Sequence, residues 1–323
     1  MVCVPFSAEV RLSHGESQPP ETSSEAPLRF LGIDPTEGDP AVSILPVAYD
    51  GTSTWRKGAD RGPAALLEAS GEVELFDLPT ASEPFRAGIE TLPTLVHEGS
   101  PEQLAERVET RIAALLSVGR LPVILGGEHS VSIGGIRAAA AHAASTGAGF
   151  GTLQLDAHGD TRETYRGSGC NHACVMARAR EVGQIVQVGI RAIDRGEHET
   201  MDRARVFTAD RIREADRRAE DDWMDDVIEL LPERVYLTID LDAFDSGIMP
   251  ATGTPEPGGL DWWTIDRLVR RVARARRIVA FDVVELLPHP AHWACDFLAA
   301  KLVHRVLAEV LAARGGPSQS SST

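Results

Sequence analysis

The chain has 323 residues, enough for one large domain or two ordinary ones, and its 43% apolar and 25% charged residues are those of a soluble globular protein with a sizeable core. A formal net charge of −16 disfavours nucleic acid and anionic membranes as partners and favours the approach of a cationic ligand. No apolar run reaches the roughly 18 residues of a membrane helix, no basic-then-apolar leader is visible, and four cysteines (Cys3, Cys170, Cys174 and Cys295) are too few for a disulfide scaffold. The expected location is therefore a reducing compartment, the cytoplasm.

Residues 1–27, rich in Ser, Pro, Glu and Gly, predict a disordered arm. Val42 to Tyr49 reads as a first strand, and Gly62-Pro63 opens a helix with proline in its first turn. Pro101 to Ser117 has helical spacing (Leu104, Val108, Ile112, Leu115) behind a Ser100 cap. Leu121 to Leu125 is a buried strand, Ser132 to Ala144 an Ala-rich helix, and Gly151 to Leu155 a second buried strand. Further strands are expected at Gln184 to Ile190, Arg234 to Asp240 and Ile278 to Val284. Further helices are expected at Asp221 to Leu231, Trp262 to Ala275 and Phe297 to Ala313. Residues 315–323 predict a disordered tail. Alternating strands and helices with continuously apolar strands imply an α/β fold: a mainly parallel sheet covered on both faces. No Pro/Gly-rich linker divides residues 28–314, so one domain is expected there.

Three of these strands run into acids or histidine, at the C-terminal edge where open parallel sheets place their sites. Asp156, His158 and Asp160 follow the strand ending at Leu155, and alternate side chains of an extended chain share one side. Gly126-Gly127-Glu128-His129 follows the strand ending at Leu125, its glycines allowing a tight turn that brings His129 over the sheet edge. Asp240 and Asp242 again stand at i and i+2. Each fragment alone also reads as a cap or a solvated strand end. Together they offer two imidazoles and four carboxylates, more than one tetrahedral zinc needs, which suits two hard or borderline divalent ions sharing carboxylates. Cys170-Asn171-His172-Ala173-Cys174 has the outline of a zinc knuckle, but no second Cys/His pair completes it, and its cysteines are expected to pack as small apolar groups.

From Val42 to Leu311 the chain resembles the ureohydrolases, the family of arginase and agmatinase, and most closely the agmatinase branch. The resemblance rests on Tyr49-Asp50-Gly51-Thr52, Lys57-Gly58-Ala59-Asp60-Arg61-Gly62-Pro63, Gly126-Gly127-Glu128-His129-Ser130, Asp156-Ala157-His158-Gly159-Asp160, Asn171-His172-Ala173-Cys174, Thr238-Ile239-Asp240-Leu241-Asp242 and Gly253-Thr254-Pro255-Glu256-Pro257-Gly258-Gly259. It implies a single three-layer α/β/α domain of the arginase/deacetylase type. It also implies two manganese ions per subunit, with nickel or cobalt as substitutes. One ion would be held by His129, Asp156, Asp160 and Asp240, the other by His158, Asp156, Asp240 and Asp242, with Asp156 and Asp240 bridging. The implied reaction is attack of a metal-activated hydroxide on a guanidinium carbon, Asp160 relaying a proton to the departing amine, to give urea and a free amine.

By the same resemblance Glu285, at the end of the strand 278–284, matches the glutamate that binds guanidinium, Thr254 a threonine near it, and His172 a histidine that shuttles protons or positions substrate. Standing alone, Glu285 also reads as a strand-end residue. The Ser/Asn-containing stretch with which arginases grip an amino acid is not matched by Glu163 to His172, which disfavours arginine and favours agmatine, cleaved to putrescine and urea. Related enzymes act on guanidinobutyrate or, with nickel, on guanidine, and these motifs do not separate them. Many relatives carry Asp-Pro where this chain has Asp245-Ser246-Gly247, so a loosened loop is expected near the metals. A zinc deacylase of the deacetylase-type fold fits less well, because His129, Asp160 and Asp242 exceed its one-metal ligand set. An inactive regulatory relative would normally have lost a ligand. The family implies a homo-oligomer, trimer or hexamer, acting on a small guanidino substrate.

Overall fold

Short apolar runs of β-branched and aliphatic residues form the strands, and helices with one apolar stripe cover them. The computed structural model describes residues 27–34, 38–218 and 222–315; the arm and tail expected from composition lie, but for Pro27 and Gly315, outside the described residues. The strands are β1 (Val42–Ala48), β2 (Ile89–Thr91), β3 (Leu95–Val96), β4 (Leu121–Gly126), β5 (Phe150–Leu155), β6 (Gln184–Ile190), β7 (Val206–Thr208), β8 (Arg234–Asp240) and β9 (Arg277–Val284). They form one sheet in the order β2-β1-β4-β9-β8-β5-β6-β7, with β3 also on β1, and every pairing is parallel.

The helices are α1 (Gly62–Ser70), α2 (Pro101–Ser117), α3 (Ser132–Ser145), α4 (Val175–Val182), α5 (Arg195–Thr200), α6 (Ala209–Arg217), α7 (Asp222–Leu230), α8 (Trp262–Ala275) and α9 (Trp293–Ala313). Two apolar cores show that the sheet is covered on both sides. Residues of α1, α7, α8 and α9 pack with Leu153, Leu155, Val235, Leu237 and Phe281 on one face. Residues of α2, α3 and α4 pack with Leu45, Ile124 and Tyr236 on the other. The three-layer α/β/α fold is as expected. No described helix is long and apolar enough to cross a membrane.

Local chemistry explains the helix starts. Ser100 accepts the Gln103 amide and Gln103 returns the bond to the Ser100 amide, closing a capping box on α2. Asp261 caps α8 by accepting the Thr264 amide. Gly134 lets α2 and α3 pack closely, since a Cβ there would lie 2.3 Å from the Ala105 carbonyl oxygen. The closing helix begins at Trp293 rather than Phe297, and β2, β3, β7, α4, α5 and α6 are additions to the expected elements.

One buried charge cluster ties α9 to its surroundings. Arg305 Nη1 lies 2.7 Å from Asp77 Oδ2, and Nη2 lies 2.7 Å from both Asp266 Oδ1 and Glu309 Oε1. Asp77 is fully buried and Asp266 and Glu309 nearly so. Arg305→Ala leaves the fully buried Asp77 without its cation, while Asp266 and Glu309 keep Arg270 at 3.2 Å, so equilibrium unfolding should show a loss of roughly 3–5 kcal/mol. A loss below about 1 kcal/mol would show that the cluster holds little.

Candidate metal centre

The sheet order sets the site. Strands β4, β9, β8 and β5 are consecutive neighbours, so the residues at or just beyond their ends (His129, Glu285, Asp240 with Asp242, and Asp156 with His158 and Asp160) meet at one edge. The local routes differ from simple strand extension. Asp160 has φ of +50°, so the chain turns there instead of continuing the pleat. Asp240 and Asp242 are brought together by a cap: residues 241–243 form a short 3-10 turn in which the Asp242 amide donates to Asp240 Oδ1 at 2.9 Å. Gly127 is needed for proximity, since a Cβ there would lie 1.9 Å from the Tyr49 carbonyl oxygen.

Two groups of donors result. In the first, His129 Nδ1 lies 3.2 Å from Asp156 Oδ2, 3.1 Å from Asp160 Oδ2 and 3.4 Å from Asp240 Oδ2. In the second, His158 Nδ1 lies 2.9 Å from Asp242 Oδ2 and 3.6 Å from Asp156 Oδ1. His129, Asp156 and Asp160 converge closely enough to hold one ion, and Asp156, His158 and Asp242 a second. Asp156 belongs to both, one oxygen facing each. Asp240 stands beside the first group and spends its other oxygen on the Asp242 amide.

The donors fit divalent cations. Thr238 donates its hydroxyl to Asp282 Oδ1 at 2.6 Å, so it offers His129 Nε2, 2.9 Å away, only a lone pair. That assigns the ring proton to Nε2 and leaves the Nδ1 lone pair facing carboxylates, without a hydrogen-bond partner. A lone pair aimed at three acids needs a cation or a proton between them. The acids show the same demand. Burial and the Asp156 charge push the Asp160 carboxyl up to about 6, and burial with the Asp242 charge raises Asp240 well above the carboxylate range. Against the cost of burial, Asp156 and Asp242 push His158 up to about 12. One imidazole with hard oxygen donors in each group suits manganese-like ions better than thiolate-seeking ones.

Buried polar residues hold the ligands in place. Asp282 Oδ2 also accepts the Tyr236 hydroxyl at 2.7 Å, so Tyr236, Asp282, Thr238 and His129 form one chain of hydrogen bonds. Gln154 Nε2 donates to Asp156 Oδ2 at 2.7 Å, and Gln187 in turn holds Gln154 at 2.6 Å. Thr238→Val leaves the His129 Nε2–H without an acceptor, and affinity for Mn2+ should fall roughly 10- to 100-fold in chelator competition; unchanged affinity would remove this chain from the account. Thr238 and Asp282 were visible in the sequence only as polar residues interrupting apolar strands.

Glu285, with φ of +65°, accepts the His129 amide at 2.8 Å through Oε1, which leaves Oε2 on the Gly253 side. Burial and the nearby Glu128 charge raise its carboxyl well above the usual range. His172 lies on the same cleft wall; its amide donates to Thr52 Oγ1 at 3.0 Å and its Nδ1 lies 3.0 Å from that oxygen. Burial lowers His172 to about 4, so the ring is neutral near pH 7. Thr254 lines the cleft beside Gly253, exposed. The zinc-knuckle alternative is not supported: neither converging donor group among the described residues includes Cys170, His172 or Cys174. Burial and the Asp160 charge push the Cys174 thiol up to about 11. The loop at Asp245-Ser246-Gly247 is pinned rather than loosened, because Asp245 accepts the amides of Gly247, Gly258 and Gly259 at 2.9, 2.7 and 3.1 Å.

Known proteins resemble this chain in sequence and in fold. The arginase family model matches residues 40–308. The chain is 34% identical to an N(1)-aminopropylagmatine ureohydrolase of Synechocystis sp., covering 89% of this chain and 95% of that one. It is 36% identical to the protein of the same description from Thermus thermophilus, covering 82% and 89%. Its fold matches the crystal structure of agmatine ureohydrolase of Thermoplasma volcanium with a TM-score of 0.78 at 28% identity, over 89% of this chain and 95% of that one. A parallel sheet whose adjacent strand ends gather paired His/Asp donors, matched along most of its length by these relatives, places this chain in the arginase family as a ureohydrolase, a hydrolase of guanidino C–N bonds.

Proposed function

We propose that this ureohydrolase cleaves an aminoalkylguanidine, agmatine first, to urea and the free amine at a two-ion centre. The observation that carries the two-ion reading is Asp156, whose two oxygens face two separate imidazole-containing groups. His129, Asp156, Asp160 and Asp240 would hold one ion and His158, Asp156, Asp240 and Asp242 the other. Two divalent ions bound there, manganese or in its place nickel or cobalt, supply Lewis acidity and water made acidic enough to ionise near neutral pH.

The chain's own residues do the rest. Glu285 Oε2 is free to accept N–H bonds from a guanidinium while Oε1 stays on the His129 amide, which fixes the carboxylate's direction. Asp160, whose Oδ2 faces His129 at the floor of the cleft, would take a proton from the attacking water and give it to the departing amine. His172, neutral and anchored by Thr52, positions substrate as a hydrogen-bond partner and does not act as an imidazolium acid. Thr254 flanks the Glu285 end of the cleft.

A second substrate, N1-aminopropylagmatine, is favoured by the relatives at 34% and 36% identity that carry that description. The family likeness also suggests a trimer or hexamer. The test is urea release by manganese-loaded protein from agmatine, aminopropylagmatine, arginine, guanidinobutyrate, guanidinopropionate and guanidine. The two aminoalkyl compounds should be preferred and arginine poor. No urea from any of them with manganese, nickel or cobalt would overturn the proposal.

A further inference from the structure

The cleft over the metal centre has a volume of about 360 Å³, and four acids outside the ligand set line it: Asp194, Glu197, Glu256 and Glu285. Three of them are engaged. Asp194 and Glu197 face the Arg162 Nε at 3.1 and 3.5 Å, Glu197 also takes the Thr161 amide, and Glu285 takes the His129 amide. The Glu256 carboxylate, half-buried on the cleft wall, has no hydrogen bond or ion pair among the described residues. An acid left without a partner on the wall of a substrate cleft is placed for a cation that arrives with the substrate.

Its backbone is unusually fixed for a loop. Arg191 Nη2 donates to the carbonyl oxygens of Glu256 at 2.8 Å, Asp242 at 2.6 Å and Phe244 at 3.2 Å, and its Nε donates to that of Pro257 at 3.1 Å. Asp245 clamps the far side of the same loop through the Gly258 and Gly259 amides. One guanidinium nitrogen therefore holds both the Glu256 peptide and that of the metal-site residue Asp242, which keeps the two in register. The loop begins beside the other end of the substrate: a Cβ on Gly253 would lie 3.8 Å from Glu285 Oε2. Glu256 follows three residues later, at most roughly 10 Å of chain away. The wall thus presents a carboxylate at each end of one short, rigid segment.

We propose that Glu256 is a specificity residue whose carboxylate receives the distal ammonium of the substrate, selecting guanidino compounds with a cationic tail over those with a carboxylate tail. This rests on the guanidino-hydrolase reading and on Glu285 holding the guanidinium. The cations on the same wall do not cancel it: Arg162 is held by Asp194 and Glu197, and Arg56 is exposed against the Trp55 ring. A carboxylate tail would meet Glu256 as a like charge, so the residue both attracts and repels.

The test uses full-length manganese-loaded protein carrying Glu256→Gln, with agmatine, butylguanidine (the same chain without the ammonium) and guanidinobutyrate as substrates. KM for agmatine should rise roughly 10- to 100-fold, with kcat within about twofold. KM for butylguanidine should stay put, that for guanidinobutyrate should fall, and Glu256→Asp should recover part of the agmatine preference. An equal change for agmatine and butylguanidine, or no change for either, overturns the proposal. Calorimetric binding of agmatine and butylguanidine separates this from the hydrolase reading. A wild-type preference for agmatine that Glu256→Gln abolishes supports Glu256 even if turnover is absent, and a preference that survives the substitution rejects it.

Discussion

Replacing Asp156 with alanine is expected to empty both cation positions and to lower urea release at least roughly a thousandfold, the scale of losing several kcal/mol of charge stabilisation. Asp240 is assigned to both positions too, but one of its oxygens accepts the Asp242 amide, whereas each Asp156 oxygen faces an imidazole. Asp156 Oδ2 faces His129 and Oδ1 faces His158, and Gln154 fixes the carboxylate's orientation from behind. Asp242→Ala, by contrast, removes a donor from the second group alone and should leave one ion per chain. Metal content after chelation and reloading with Mn2+ distinguishes the two variants. Two ions retained in the Asp156 variant would contradict the shared-carboxylate arrangement.

Glu285→Gln should leave both ions bound and lower kcat/KM for agmatine by roughly 10²- to 10³-fold, the effect of removing one partner from a desolvated charge pair. The substitution is mild for the fold. A glutamine carbonyl can still accept the His129 amide that Oε1 now accepts, and the backbone already holds its φ of +65°. What is lost is the charge facing the guanidinium. Near-normal turnover with agmatine would remove Glu285 from the substrate site.

The parts that were legible from sequence and those that were not have different physical origins. β4, β5 and β8 are apolar runs, and their ligands stand at the strand end (Asp240) or within three residues beyond it (Asp156, His129), so the sequence alone places these three at a sheet edge. It does not show how His129, Asp160 and Asp242 reach one another. That depends on a left-handed turn at Asp160, a local cap in which Asp240 accepts the Asp242 amide, and the close pass of Gly127 over Tyr49, none of which the apolar pattern of the strands encodes. β2, β3 and β7 are two or three residues long and exist because β1 and β6 supply their partners. Arg191 looked like an ordinary surface cation, and only the folded loop shows it bonded to four carbonyl groups across two site segments. The Asp245-Ser246-Gly247 departure suggested looseness because a glycine in isolation is permissive. Three amides on the Asp245 carboxylate reverse that expectation.

The measurement that bears most directly on the central claim is a titration of metal-free protein with Mn2+ in which bound metal and urea release from agmatine are followed together. A centre built around a shared Asp156 predicts that binding saturates at about two ions per chain and that most of the activity appears as the second position fills. Saturation at one ion per chain with full activity would contradict the account.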